Sequence, residues 1–270
     1  MEKFIMAHDT ALRISDTEKG SPVLVLLHGY LESLEIWEEF ARCFTPRCRV
    51  LAIDLPGHGI SETKGDTHTM EYLADVLKGV LDKQGIARCF VAGHSMGGYV
   101  AEAFASRYPG MLQGLILLHS TPNADTDEKK ENRRREIGLI REDKKELIAA
   151  LFAPKGFAEE NRRRLRDRIE QVEELISATD DDGIVAILNG LIARNDQNDM
   201  MRALKVPQLF VFGRHDEFIP AETAARIAAA HPQAEVAWLD RSGHMGFIEE
   251  PEATAEAIRS FIGRHDETGA

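Results

Sequence analysis

The chain carries one pentapeptide that few folds can accommodate, Gly93-His94-Ser95-Met96-Gly97. It follows the apolar run 89–92 and leads into Tyr99-Val100-Ala101-Glu102-Ala103-Phe104-Ala105, which has helical character. A strand, a G-x-S-x-G and a helix, in that order, are the sequence form of a nucleophile elbow. The turn is tight enough to strain the backbone at the serine and to lift its side chain clear of the sheet. Only residues without a side chain fit the flanking positions, and Gly93 and Gly97 meet that demand. Gly98 allows a further close approach.

The rest of the chain supplies a sheet around this turn. Short apolar runs recur at 23–27, 49–53, 89–92, 115–118, 209–212 and 236–239. Near-continuous runs of this length suit strands buried on both faces of a parallel sheet. Helical patterns lie between them. Leu73, Val76, Leu77, Val80 and Leu81 fall on one apolar stripe, and Ile258, Phe261 and Ile262 repeat the spacing after Pro251, a good first helical residue. The alternation implies an α/β fold, a mostly parallel sheet with helices on both faces. Residues 11–15 alternate loosely and fit an antiparallel edge hairpin.

Residues 123–204 break the alternation. Leu165, Ile169, Val172 and Ile176 form one helical stripe, and Ile137, Ile140, Leu147 and Leu151 fit another. A helical insertion is expected here, dividing the chain into a core segment 1–122, the insertion 123–204 and a core segment 205–270. The clusters Arg133-Arg134-Arg135 and Arg162-Arg163-Arg164 alternate with acidic residues and read as solvated helix faces. At 270 residues the chain fits one large domain with an insertion. A formal net charge of -12 argues against nucleic acid or an anionic membrane as partner. No apolar run is long enough to span a bilayer, and the N-terminus lacks a secretory pattern, so a cytoplasmic location is expected. Three cysteines, Cys43, Cys48 and Cys89, read as reduced thiols. No ligand spacing points to a metal, and no cofactor is expected.

A serine hydroxyl needs a base to act as nucleophile, and the base needs an orienting partner. Asp216 follows the run 209–212, and His244 follows the run 236–239. Both therefore fall at the C-terminal edge of a parallel sheet, as Ser95 does, where open α/β sheets place their sites. The order Ser95, Asp216, His244 is the one expected with an elbow. His28 and His119 end strands at the same edge and remain alternative bases; Asp125 and Asp240 are the alternative acids. His8, His231 and His265 read as surface residues. Two backbone N–H groups should hold the oxyanion of acyl transfer, from Met96 after the nucleophile and from Tyr30 in the loop Leu27-His28-Gly29-Tyr30. His28, His119, Leu147, Leu151 and Phe152 are the candidate pocket residues.

In these residues the chain resembles the α/β-hydrolase family over nearly its whole length. The resemblance rests on Leu27-His28-Gly29-Tyr30, Asp54-Leu55-Pro56-Gly57-His58-Gly59-Ile60-Ser61, Gly93-His94-Ser95-Met96-Gly97-Gly98, Gly213-Arg214-His215-Asp216 and Ser242-Gly243-His244. It implies an eight-stranded sheet and a helical cap inserted after the sixth strand. The chain is most similar to the small cytoplasmic esterases and enol-lactonases. Ser95 disfavours the members with an aspartate nucleophile, the epoxide hydrolases and dehalogenases. The activity implied is cofactor-independent hydrolysis of small carboxylic esters through an acyl-enzyme, by a monomer or homodimer. Lactone, C–C, thioester, perhydrolase or lyase chemistry on the same residues is the alternative, because fold does not fix substrate. A ligand-binding or signalling protein with little turnover is the alternative of another class. The apolar stripes of the insertion are expected to form a lid over Ser95.

Overall fold

The computed structural model describes residues 1–266. It opens on a hairpin of β1 (Glu2–Ala7) and β2 (Thr10–Asp16). His8 and Asp9 form its two-residue turn, both in the left-handed region at φ 48° and 57°. That geometry matches the twist of the flanking strands. β3 (Val23–Leu27), α1 (Glu38–Ala41) and β4 (Arg49–Ile53) follow. α2 (Met70–Lys83) leads to β5 (Cys89–His94), and α3 (Met96–Arg107) leads to β6 (Leu112–Leu118). The strands form one eight-stranded sheet in the order β1-β2-β4-β3-β5-β6-β7-β8. β2 runs antiparallel to β1 and β4, and the remaining pairs are parallel. β5 and β6 are buried at every position, which is why their sequences are apolar without alternation.

Six helices stand between β6 and β7: α4 (Asp127–Arg141), α5 (Lys145–Lys155), α6 (Glu159–Arg162), α7 (Arg166–Ala178), α8 (Asp181–Ala193) and α9 (Asn198–Ala203). β7 (Gln208–Gly213), α10 (Ala221–Ala230), β8 (Glu235–Leu239), α11 (Gly246–Glu249) and α12 (Pro251–His265) complete the chain. α5 packs on α7 and α4 on α8. Ile169, Val172 and Ile176 are buried on α7, as their spacing predicts. The second expected stripe fails. α4 ends at Arg141, Asp143 turns the chain at φ 58°, and α5 restarts with a new phase. Ile137 and Ile140 point inward, but Leu147 and Leu151 are 50% and 67% exposed; Ile148, Ala149 and Ala153 take the buried face. Among the described residues, no helix is long and apolar enough to cross a membrane.

The strand order decides where a site can open. The chain moves from β3 outward to β4, then returns through α2 to β5 on the other side of β3. Loops leaving β3 and β5 therefore diverge, and a crevice opens between them at the carboxyl edge.

Candidate active site

Ser95 sits between β5 and α3 at φ 49° and ψ -115°, a conformation that L-residues seldom adopt. The surroundings hold it there. Its N–H donates to the Leu118 carbonyl at 2.9 Å, and its carbonyl accepts the Ser120 hydroxyl at 2.8 Å. A Cβ on Gly93 would lie 2.2 Å from the Gly97 carbonyl oxygen, and one on Gly97 2.3 Å from that of Leu27. These neighbours are backbone and cannot rotate away. Gly97→Ala is expected to destabilise the fold by about 3 kcal/mol or more, since overpacking of about this size falls on backbone that has no alternative position. Urea unfolding with a midpoint unchanged from the parent would contradict this.

Asp216 and His244 leave β7 and β8 on neighbouring loops. His244 Nδ1 lies 2.8 Å from Asp216 Oδ2. Asp216 Oδ1 accepts the N–H groups of Phe218 and Ile219 at 2.8 and 3.0 Å. Burial would raise this carboxyl, but His244 and His119 outweigh it and hold Asp216 well below the usual carboxylate range. His119 Nδ1 stands 3.4 Å from Asp216 Oδ2, and its Nε2 accepts the Gly246 N–H at 3.2 Å. Burial pushes the His119 imidazole down to about 4, so it is neutral at ordinary pH. His28 is fully buried, between the Leu55 N–H and the Gly29 carbonyl, and its place is behind the loop. Asp125 is taken by Arg133 and Arg194 and stands apart from His244's ring.

A buried chain of contacts ties the three loops together. The Gly29 N–H donates to Glu32 Oε2 at 2.7 Å. His94 Nδ1 faces the same oxygen at 3.0 Å, and His94 Nε2 faces the His244 carbonyl at 2.9 Å. A carbonyl only accepts, so Nε2 carries a proton. Burial would lower His94 and raise Glu32, but each holds the other charged: His94 stays above its ordinary value and Glu32 below. The pair fixes the loop after β3, the elbow and the backbone of His244 relative to one another.

The inserted helices are joined to the same loops. The His244 and Met245 N–H groups donate to the Gly156 carbonyl at 2.8 and 3.1 Å. Glu249 gathers the N–H of Ala158, the amide of Asn161 and the N–H of Gly243. On the other side Gly57 meets Gly183, and the His68 N–H donates to the Ala186 carbonyl at 2.8 Å. The long turn after β4 thus seats the insertion. A cavity of about 390 Å³ lies beneath it, lined by Ser95, His244, Tyr30, Met96 and Phe152, with Lys129, Arg133, Glu136, Lys155 and Phe218 from the rim. A tighter apolar niche of about 10 Å³, bounded by Phe152, Val172, Phe218 and Met245, also reaches Ser95 and His244.

The fold and these residues have known counterparts. A model described as the alpha/beta hydrolase fold matches residues 22–137. A thermophilic esterase from Thermogutta terrifontis, solved with malate bound, superposes with a TM-score of 0.92 at 31% identity, covering 98% of this chain and 99% of that one. The chain belongs to the α/β-hydrolase fold family. Among curated proteins, a pimeloyl-[acyl-carrier protein] methyl ester esterase of Aeromonas hydrophila is 28% identical over 90% of this chain and 96% of its own length. A 2-hydroxy-6-oxononadienedioate/2-hydroxy-6-oxononatrienedioate hydrolase of Paraburkholderia phymatum is 29% identical over 96% of this chain and 94% of its own. The chain is a hydrolase of this fold.

Several sequence expectations for this hydrolase shift in three dimensions. Phe152 reaches the cavity, but Leu147 and Leu151 do not: both are exposed to solvent. His28 is not a lining residue, and His119 lies behind Asp216. His231 is fully buried, with Nε2 2.9 Å from Asn198 Oδ1, because α10 ends against the sheet rather than in solvent. Arg133 is no solvated helix residue; it turns into the cavity to meet Asp125. Glu32, Phe218, Lys129 and Lys155 went unnoticed in the sequence, since no motif marks them. His119, Asp216 and His244 offer nitrogen and oxygen atoms within 4.8 Å of one another, the only group of metal-binding type among the described residues. Asp216 Oδ2 there faces both imidazoles, at 2.8 and 3.4 Å.

Proposed function

We propose that this hydrolase is a serine esterase for small carboxylic esters. The observation that carries the reading is the Asp216–His244 pair, with Asp216 Oδ1 anchored by two backbone amides, opening on the cavity that holds the strained Ser95. Ser95 Oγ attacks the ester carbonyl while His244 Nε2 takes its proton. Asp216 holds the proton of His244 on Nδ1, leaving Nε2 free to accept, and stabilises the imidazolium that forms. His244 then protonates the leaving alkoxide. Water, deprotonated by His244, hydrolyses the acyl-enzyme and restores Ser95.

The oxyanion faces two amides. Met96 opens α3, so its N–H is among the helix-initial donors that have no acceptor within the helix. The Gly29 amide is occupied by Glu32, and the next residue of that loop, Tyr30, lines the cavity, which supports its N–H as the second donor. Lactonase and C–C hydrolase chemistry would use the same groups, and the relatives include both an ester hydrolase and a dienedioate hydrolase. The niche, at about 10 Å³, has roughly the space of one water and suits a short branch of the substrate.

A panel of p-nitrophenyl acyl esters tests this directly. kcat/KM should be highest for acetate to butyrate and fall by about tenfold or more at octanoate. Phe152→Ala removes a wall of the niche and should raise the octanoate-to-acetate ratio about tenfold, or 1.4 kcal/mol. A flat chain-length profile unaffected by this change would remove the niche from the account. No turnover of any ester, lactone or thioester would refute the esterase reading itself.

A further inference from the structure

The cavity over Ser95 is cationic in a chain that is not. The whole protein carries a formal net charge of -12. Its cavity nevertheless brings Lys129, Arg133 and Lys155 together with only two acids, Glu136 and Glu217. Both acids have partners. Glu136 Oε1 accepts the Tyr30 hydroxyl at 2.8 Å, and burial pushes the Glu136 carboxyl up. Glu217 is bound by Arg162 at 2.5 Å. Arg133 is committed to Asp125. Lys129 and Lys155 remain, and neither forms an ion pair among the described residues.

Their position is close to the chemistry. Lys155 Nζ lies 4.8 Å from the centre of the Phe218 ring, and that ring lies 4.8 Å from the centre of the His244 ring. The Phe218 ring is thus shared by the Lys155 ammonium and the His244 imidazole. Lys129 reaches the same cavity from α4. Burial lowers the Lys129 ammonium from its ordinary range; Asp125 and Asp216 pull it back up, while the like charges of Arg133 and Arg194 push it further down. Both lysines are exposed at the rim, and an anion seated between them is attracted by both ammonium groups.

Resting on the esterase reading, we infer that the substrate is an ester with two unlike branches: a short apolar branch for the niche, and a branch ending in a carboxylate that Lys129 and Lys155 bind. Two isomeric esters present this chemistry in opposite senses. Monomethyl glutarate carries its carboxylate on the acyl side, and 4-acetoxybutanoate carries it on the alcohol side. Methyl pentanoate and butyl acetate are their uncharged counterparts.

The test measures kcat/KM for all four esters in the parent protein, in Lys129→Met, in Lys155→Met and in the double variant. At least one anionic ester should be preferred over its neutral counterpart by about thirtyfold. Each single variant should lower that ratio about fivefold and the double variant should abolish it. Lys155→Glu should reverse it. The parent's ratio should also shrink at high salt, as screening requires, while that of the double variant should not. A parent without preference for either anionic ester, or a preference that survives in the double variant, would overturn the inference.

A second readout separates this outcome from failure of the esterase reading. Glutarate binding to Ser95→Ala is measured by calorimetry, with and without the two lysine changes. If no ester is turned over, the esterase reading falls. Glutarate binding that depends on Lys129 and Lys155 would still sustain the anion site, and its absence would refute it. If neutral esters are turned over but glutarate does not bind, only the anion site is lost.

Discussion

Ser95→Ala is expected to lower kcat for activated esters by at least about 10³, with little change in stability. The magnitude follows from what stays behind: the oxyanion amides and the cavity, which without the nucleophile give only residual catalysis over water. Stability should be spared because Ser95 is only partly buried, at the floor of a cavity, and fills no core volume. Alanine also keeps the backbone donor and acceptor that bind Leu118 and Ser120. The check is twofold. A labelled fluorophosphonate should modify the parent at Ser95 and leave Ser95→Ala unlabelled, while thermal unfolding of the two proteins coincides to within a few degrees. Labelling of another serine, or retention of a tenth of the parent's turnover, would move the nucleophile elsewhere.

Asp216→Asn should cost about 10⁴ in kcat, as it does for the corresponding acid of a well-studied serine protease. The geometry here gives the reason. Asp216 Oδ1 accepts two backbone N–H groups, from Phe218 and Ile219. An asparagine must put its carbonyl oxygen there, which turns its NH₂ toward His244 Nδ1. Nδ1 then accepts, the ring proton moves to Nε2, and the base can no longer take a proton from Ser95. Asp125→Asn, whose partners are Arg133 and Arg194, should cost much less. The parent's pH profile gives an independent reading. Asp216 is held below the usual carboxylate range and His119 near 4, so neither changes charge between pH 5 and 8. An acid limb of kcat/KM in that interval therefore belongs to neither Asp216 nor His119. Similar losses in the two variants, or a larger loss at Asp125, would contradict the assignment.

The sequence alone was enough for the sheet and for the elbow, for a shared physical reason. Strands buried on both faces need apolar residues at every position, so the runs 23–27 and 49–53 coincide with β3 and β4 to the residue. The elbow is equally local: the contacts that exclude a Cβ at Gly93 come from residues four and five places along the chain. Asp216 and His244 were legible because each ends a strand at the same edge, and that edge follows from parallel topology. The insertion was legible as helical, but its faces were not. A stripe through Leu147 and Leu151 presumes one uninterrupted helix, and a single left-handed residue, Asp143, resets the phase. The charged residues depended wholly on the tertiary structure. Arg133, Lys129 and Arg134 sit on the same polar helix, and only the packing of α4 on α8 brings the first two to the lining of the cavity while Arg134 pairs with Glu131 on the surface. Glu32 and His94 likewise look ordinary in the chain. They become one buried ion pair because β3 and β5 are neighbours in the sheet while 62 residues separate the two groups in sequence. Periodicity encodes which side of an element is apolar; it carries no information about which charges two distant loops will place face to face.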